Sequence, residues 1–331
     1  MRTFVMLMMI LMLIGAAGCG KKEEATDQTA AADQPPTLEQ TKVKVPPPAA
    51  DKPADPFLTK LKNATYTGVQ EQDPVTLTDG LWEGEPSAEG GASRPRVQFV
   101  RDYHLVGDLD GDGQDEAAVV LTAGSGGTVE NSYLAVLGLR EGELRNLDTV
   151  LLGDRVQIRK SGILEGRIFM DILRAGPEDA LSNPGNLEGA AWRLENDKLV
   201  AMEAASAPLR LSLDSVAGPE WVLRWWTLDE EAPAEPEVTL SFLDGRLGGS
   251  SGCNTYSAAA NTGEQPGDLQ MGPAAGTRKM CPEEIMAVEQ RYLAQMAGVK
   301  KFGYVAGMLA LSFEHENGGG VMLFEGRKPA Q

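Results

Sequence analysis

The stretch His104-Leu105-Val106-Gly107-Asp108-Leu109-Asp110-Gly111-Asp112-Gly113-Gln114-Asp115-Glu116-Ala117-Ala118-Val119-Val120-Leu121 decides the fold class. Its centre is an acidic loop punctuated by glycine, and what flanks that loop sets the architecture. An EF-hand needs a helix on each side and a glutamate at position twelve, and counting from Asp108 that position is Val119. The flanks are instead short apolar runs, bounded by turn residues, that read as strands. A strand–loop–strand unit is therefore expected.

The same grammar extends outward. From Phe57 to Met202, Val75-Thr76-Leu77-Thr78 runs into Asp79-Gly80, and Val97 to Val106 precedes the acidic loop. Tyr133 to Leu137 and Leu147 to Leu152 flank a turn at Glu141-Gly142-Glu143. Val156 to Arg159 alternates, Ile168 to Leu173 reads as a buried strand, and Trp192 to Leu194 pairs with Leu199 to Met202 across Asn196-Asp197. Many short strands with Asp-Gly punctuation imply antiparallel β structure. Past Pro208 the chain is again strand-rich, with one helix. Pro282 opens it, Glu283 and Glu284 suit its positive end, Ile285, Val288, Tyr292, Leu293 and Met296 share one face, and Gly298 closes it. Asp244-Gly245 and Gly318-Gly319-Gly320 read as turns.

The N-terminus carries a different signal. Arg2 precedes an apolar run, Phe4 to Ile14, and Ala16-Ala17-Gly18-Cys19 follows. This is a secretory signal with a small-residue cleavage site, and it resembles the lipobox of bacterial lipoproteins. The resemblance implies a diacylglycerol on the Cys19 thiol, cleavage before it and acylation of the new amine. Gly20, rather than an acid, after that cysteine implies the outer membrane, facing the periplasm, in a cell that has one. From Gly20 to Pro56 no apolar periodicity exists, and prolines cluster at 35–36 and 46–48, so a disordered tether is expected. In extended form it reaches on the order of 100 Å. The net charge of −18 argues against nucleic-acid partners and against an electrostatic grip on anionic lipid. The membrane is a partner through the acyl chains alone.

Toward the C-terminus, Trp226-Thr227-Leu228, then Leu247-Gly248-Gly249-Ser250-Ser251-Gly252-Cys253-Asn254, then Thr277-Arg278-Lys279-Met280-Cys281-Pro282, resembles the META domain of HslJ-like proteins over roughly 208–327. Thr255 departs from the basic residue that often follows that asparagine. The resemblance implies a compact, largely sheet α+β domain with one helix, found in envelope lipoproteins and heat-inducible proteins and linked to stress tolerance without an established catalytic activity. With Cys19 lipidated, Cys253 and Cys281 remain as an even pair outside the reducing cytoplasm. They form either one disulfide, worth roughly 3–4 kcal/mol by loop closure, or two buried thiols packed as small hydrophobes.

Two motifs invite chemistry. Asp108, Asp110, Asp112, Gln114 through its carbonyl and Glu116 occupy positions one, three, five, seven and nine of a hard-oxygen cage suited to one Ca²⁺ ion. Between strands, this resembles the calcium loop of FG-GAP repeats; an acidic solvated turn is the alternative. Gly248-x-Ser250-x-Gly252 spells a hydrolase nucleophile elbow, but no helix pattern follows it. The only downstream histidine is His315, between two glutamates.

The chain is thus expected to comprise a signal peptide over 1–18, a lipidated tether over 19–56, a β-rich domain with the Asp-rich loop over 57–204 and a META/HslJ-like domain over 205–331. Mainly β and α+β is the fold class. The expected role is a non-catalytic envelope lipoprotein that binds or scaffolds an envelope protein or a small ligand. A ligand-binding lipoprotein with a pocket between the domains, and a periplasmic hydrolase, are the rivals.

Overall fold

Tight two-residue turns set the registers of this chain. Asp79-Gly80, Glu141-Gly142, Glu165-Gly166, Asn196-Asp197, Asp244-Gly245 and Ala306-Gly307 each have positive φ at both residues. That backbone twists with right-handed strands and therefore closes hairpins without splaying them. The computed structural model describes residues 55–70, 74–86, 91, 93–126, 129–203, 207–315 and 318–328, so the signal segment, Cys19 and the tether up to residue 54 lie outside the described residues, while Asp55 and Pro56, expected in the tether, cap and open a helix.

Helix α1 (Pro56–Lys62) is capped by the Asp55 side chain, which accepts from Phe57 N. Strands β1 (Thr65–Tyr66) and β2 (Val75–Thr76) pair with each other. An antiparallel meander follows, built from β3 (Leu81–Glu83), β4 (Arg96–Gly107), β5 (Glu116–Gly124), β6 (Glu130–Arg140) and β7 (Glu143–Asp154), in that spatial order. A second sheet holds β8 (Gln157–Leu164), β9 (Arg167–Arg174), β10 (Asn186–Glu195) and β11 (Lys198–Ala201), with β12 (Leu209–Arg210) also on β10.

The C-terminal sheet contains β13 (Glu220–Trp225), β14 (Thr239–Leu243), β15 (Arg246–Ser250), β16 (Thr255–Thr262), β17 (Leu269–Met271) and β18 (Ala275–Gly276). Helix α2 (Glu283–Ala297) then leads to β19 (Val299–Val305), β20 (Met308–His315) and β21 (Gly318–Arg327). Its order is β17-β16-β15-β14-β13-β21-β20-β19, with β18 on β16. The protein is mostly strand, as the punctuation implied.

Three cores result. Strand β5 is buried on both faces. Ala117, Val119 and Leu121 join Leu61, Tyr66 and Val97 in one core, while Ala118 and Val120 join Ile168, Met170, Ile172 and Trp192 of the second sheet in another. A strand covered on both faces reads as a continuous apolar run rather than an alternation. The third core lies between α2 and the C-terminal sheet, and Leu173 and Leu187 of the second sheet pack into it.

Polar contacts reinforce that junction. Gly307 N, in the β19–β20 turn, donates to Ile158 O of β8 (2.9 Å). The β4 bulge turns Arg101 outward with φ 49°. Its guanidinium lies 4.2 Å from the Trp225 ring centroid, and its Nη1 donates to Leu228 O.

Two readings change. Helix α1 was not expected, because seven residues carry too little periodicity to announce a helix; Leu61, its buried residue, anchors it. Gly318-Gly319-Gly320 is not a turn but pairs with Phe313 to His315 inside β21. The physical reason is space, since a Cβ on Gly320 would come 2.8 Å from the Phe313 ring.

Gly249 illustrates how closely the sheet packs. A Cβ there would sit 2.2 Å from the Thr239 carbonyl oxygen, whereas one on Gly189 would meet nothing within 4 Å. Gly249→Ala is expected to lose about 1–3 kcal/mol in chemical denaturation. Gly189→Ala should change it by about 0.5 kcal/mol or less.

Candidate functional site

A buried polar cluster surrounds the turn from β15 to β16. Cys253 and Cys281 are joined by a disulfide with Cα atoms 6.0 Å apart. This tethers the turn to the entrance of α2. Asn254 then acts as a fastener: its Oδ1 accepts from Thr277 Oγ1 (2.8 Å) and Lys279 N (2.7 Å), and its Nδ2 donates to Glu289 Oε1 (2.9 Å). Glu289 Oε2 also accepts from Ser251 Oγ (2.5 Å) and Asn254 N (2.8 Å).

Glu289 is buried on α2. Burial pushes its pKa up, but the bonds from Ser251 and Asn254 outweigh it and hold the carboxyl below the usual glutamate value. Next to it the Tyr256 and Tyr292 hydroxyls bond each other, and burial raises both pKa values.

This arrangement decides what the C-terminal part resembles. Residues 214–328 match the META domain family. The match spans about a third of the chain and lies inside the region where the resemblance was expected. No curated protein and no solved structure matches the chain. Within the META segment, Ser250 ends a strand and the turn after it enters β16, a strand–turn–strand path rather than a strand–turn–helix elbow. The Ser250 hydroxyl accepts from Gly252 N, which makes it part of the turn. Trp221 and Trp226 are core residues, and Trp225 carries the Arg101 stack.

The Asp-rich loop brings three of its residues together. Carboxylate oxygens of Asp108, Asp110 and Glu116 lie within 4.8 Å of one another. Asp112 turns away, accepting from Gln114 N and Nε2. Asp108 accepts from Gly111 N and Gly113 N, which shapes the loop. Glu116 is fully buried: its Oε2 accepts from Leu109 N, while its Oε1 has no hydrogen-bond partner. Burial raises the Glu116 pKa, with the Leu109 bond opposing and the Asp110 charge reinforcing that shift.

Arg140, which sequence reasoning missed, reaches this cluster from the end of β6. It bonds Asp110 (2.8 Å) and Asp197 (2.6 Å) and lies 3.6 Å from Glu116 Oε1. Glu289 was missed as well. Its signal was a charged residue on the apolar stripe of α2, four residues after Ile285 and three before Tyr292.

A cleft of about 410 Å³ opens where the β5–β6 face runs past the second sheet toward β19 and β20. Val120, Thr122, Ser132, Val156, Phe302 and Ser312 are among its walls. Cys19 lies outside the described residues.

The depressed Glu289 pKa fixes a pH effect. Its contribution to stability is complete above the ordinary glutamate pKa of about 4.3 and is lost as pH falls through the lower folded-state value. Glu289→Gln should lower stability at pH 7 by about 1–3 kcal/mol and flatten the acid limb of a melting-temperature profile. Glu116 titrates with the opposite sign.

Proposed function

We propose that this chain is a non-catalytic cell-envelope lipoprotein, held by lipid on Cys19 at the outer membrane and facing the periplasm. The META segment and the β-rich part before it act as one binding or scaffolding unit for an envelope partner or a small ligand. The observation that carries this reading is the Cys253–Cys281 disulfide. Such bonds persist outside the reducing cytoplasm, in agreement with the lipobox-like run. Further support comes from the META match and from a junction in which Leu173, Leu187 and Arg101 hold the two parts together.

Two or more acyl chains, at about 0.8 kcal/mol per buried methylene, hold a protein on a bilayer that its negative charge would otherwise avoid. Metabolic labelling with palmitate should mark the intact chain and fail on Cys19→Ser, which should then leave the membrane fraction. A thiol assay on denatured, unreduced protein should find neither Cys253 nor Cys281 reactive. Labelling that survives Cys19→Ser would overturn the anchor.

The Asp-rich loop is proposed as a Ca²⁺ site held by Asp108, Asp110 and Glu116. These oxygens suit a hard cation, and Glu116 Oε1 is buried without a hydrogen bond, its charge faced by the Arg140 guanidinium 3.6 Å away. There the ion would brace the loop against the β10–β11 turn that Arg140 already reaches through Asp197. Titration with calcium chloride should give saturable heat and a rise in melting temperature, both lost in Glu116→Gln. Absence of heat at millimolar calcium would sink the site and leave the anchor standing.

A further inference from the structure

Among the residues lining the 410 Å³ cleft, both amides have their orientation forced. Gln157 Oε1 accepts from the backbone N–H of Tyr304 (2.8 Å), and Asn183 Oδ1 accepts from Lys301 Nζ (2.6 Å). Neither donor can be reversed, so each amide spends its acceptor inside the protein and keeps an NH₂ group unpartnered among the described residues.

Ser132 is 2 % exposed and lines the cleft. Its cross-strand neighbour is Thr122, on the same face and also in the cleft wall. Arg155 adds a guanidinium that makes no hydrogen bond, with Asp154 3.7 Å away. Donors thus outnumber acceptors, and Glu130 at the exposed rim is the one free carboxylate among the lining residues.

The walls between these groups are apolar, formed by Val120, Val156, Ile158 and Phe302. Such a volume, apolar with a few convergent polar groups, is that of a small-molecule site. Its two cations are each shared with a carboxylate, Arg155 with Asp154 and Lys301 with Asp268, both at 3.7 Å. A dianionic phosphate would meet those acids, whereas a single carboxylate can accept from the free NH₂ groups and the guanidinium without displacing them.

We propose that this cleft binds a small monocarboxylate with an aliphatic body. Its carboxylate accepts from Arg155, Gln157 and Asn183, and its chain lies along Val120, Val156 and Phe302 toward Thr122 and Ser132. The site goes beyond the envelope reading and does not depend on lipidation or on calcium.

The test is isothermal titration of the full chain with hexanoate, hexylamine and inorganic phosphate. Hexanoate should bind saturably, and the other two should not. Arg155→Gln, a half-buried change at a turn, should weaken hexanoate about tenfold, as loss of a charged hydrogen bond does. Ser132→Val should weaken it severalfold while the melting temperature confirms folding. Failure of hexanoate to saturate at tens of millimolar, equal binding of hexylamine or phosphate, or affinity unchanged in both variants would overturn the proposal. None of these outcomes bears on palmitate labelling, so the two readings fail separately.

Discussion

Strand β5 is the constraint on which the rest of the N-terminal half depends. Ala117 to Leu121 are essentially inaccessible to solvent, with alternate side chains entering two different cores. Burial on both faces requires a cover on each side. Helix α1 and the β1–β2 hairpin supply one, and the β8–β11 sheet supplies the other. Removing either cover would expose a contiguous apolar face, which soluble proteins avoid. The same strand links the two sites, because Glu116 at its start belongs to the acidic loop and Thr122 near its end faces the cleft.

The META segment solves a different problem. Its β15–β16 turn is polar and buried, so every group in it needs a partner. Glu289 provides one carboxylate for three donors, and Asn254 ties the turn to the segment between β18 and Cys281. The disulfide closes the same turn covalently. A buried charge is expensive unless it is hydrogen-bonded, and here hydrogen bonds to neutral donors suffice. The result is a braced corner beneath the helix, held by one carboxylate, one amide and one disulfide.

Much of the architecture was legible because turn chemistry is local. Asp-Gly and Asn-Asp dipeptides need left-handed backbone, and four of the six tight turns could be read directly. Glu165-Gly166 and Ala306-Gly307 lack the Asp or Asn that marked three of those four, and Glu141-Gly142 was read from the strands on either side of it. Helix α1 escaped because seven residues show no clear period, and Gly318 to Gly320 misled because glycine also serves where an aromatic ring needs room. At the acidic loop, Asp108, Asp110 and Glu116 converge, whereas Asp112 and Gln114, expected in the same cage, bond each other instead. Arg140, from a strand end 24 residues further on, carried no local sign.

By itself the sequence determined what depends on near neighbours along the chain. That includes the β class, the single C-terminal helix and the META resemblance later matched over residues 214–328. Tertiary structure alone decided what depends on distant partners: the burial of β5 on both faces, the Arg140 counter-ion, the Glu289 network and the donor-rich cleft. The reason is physical. Backbone preference and turn geometry act within a few residues, whereas the burial of a carboxylate, the orientation of an amide and the filling of a cavity are set by whatever the fold brings alongside.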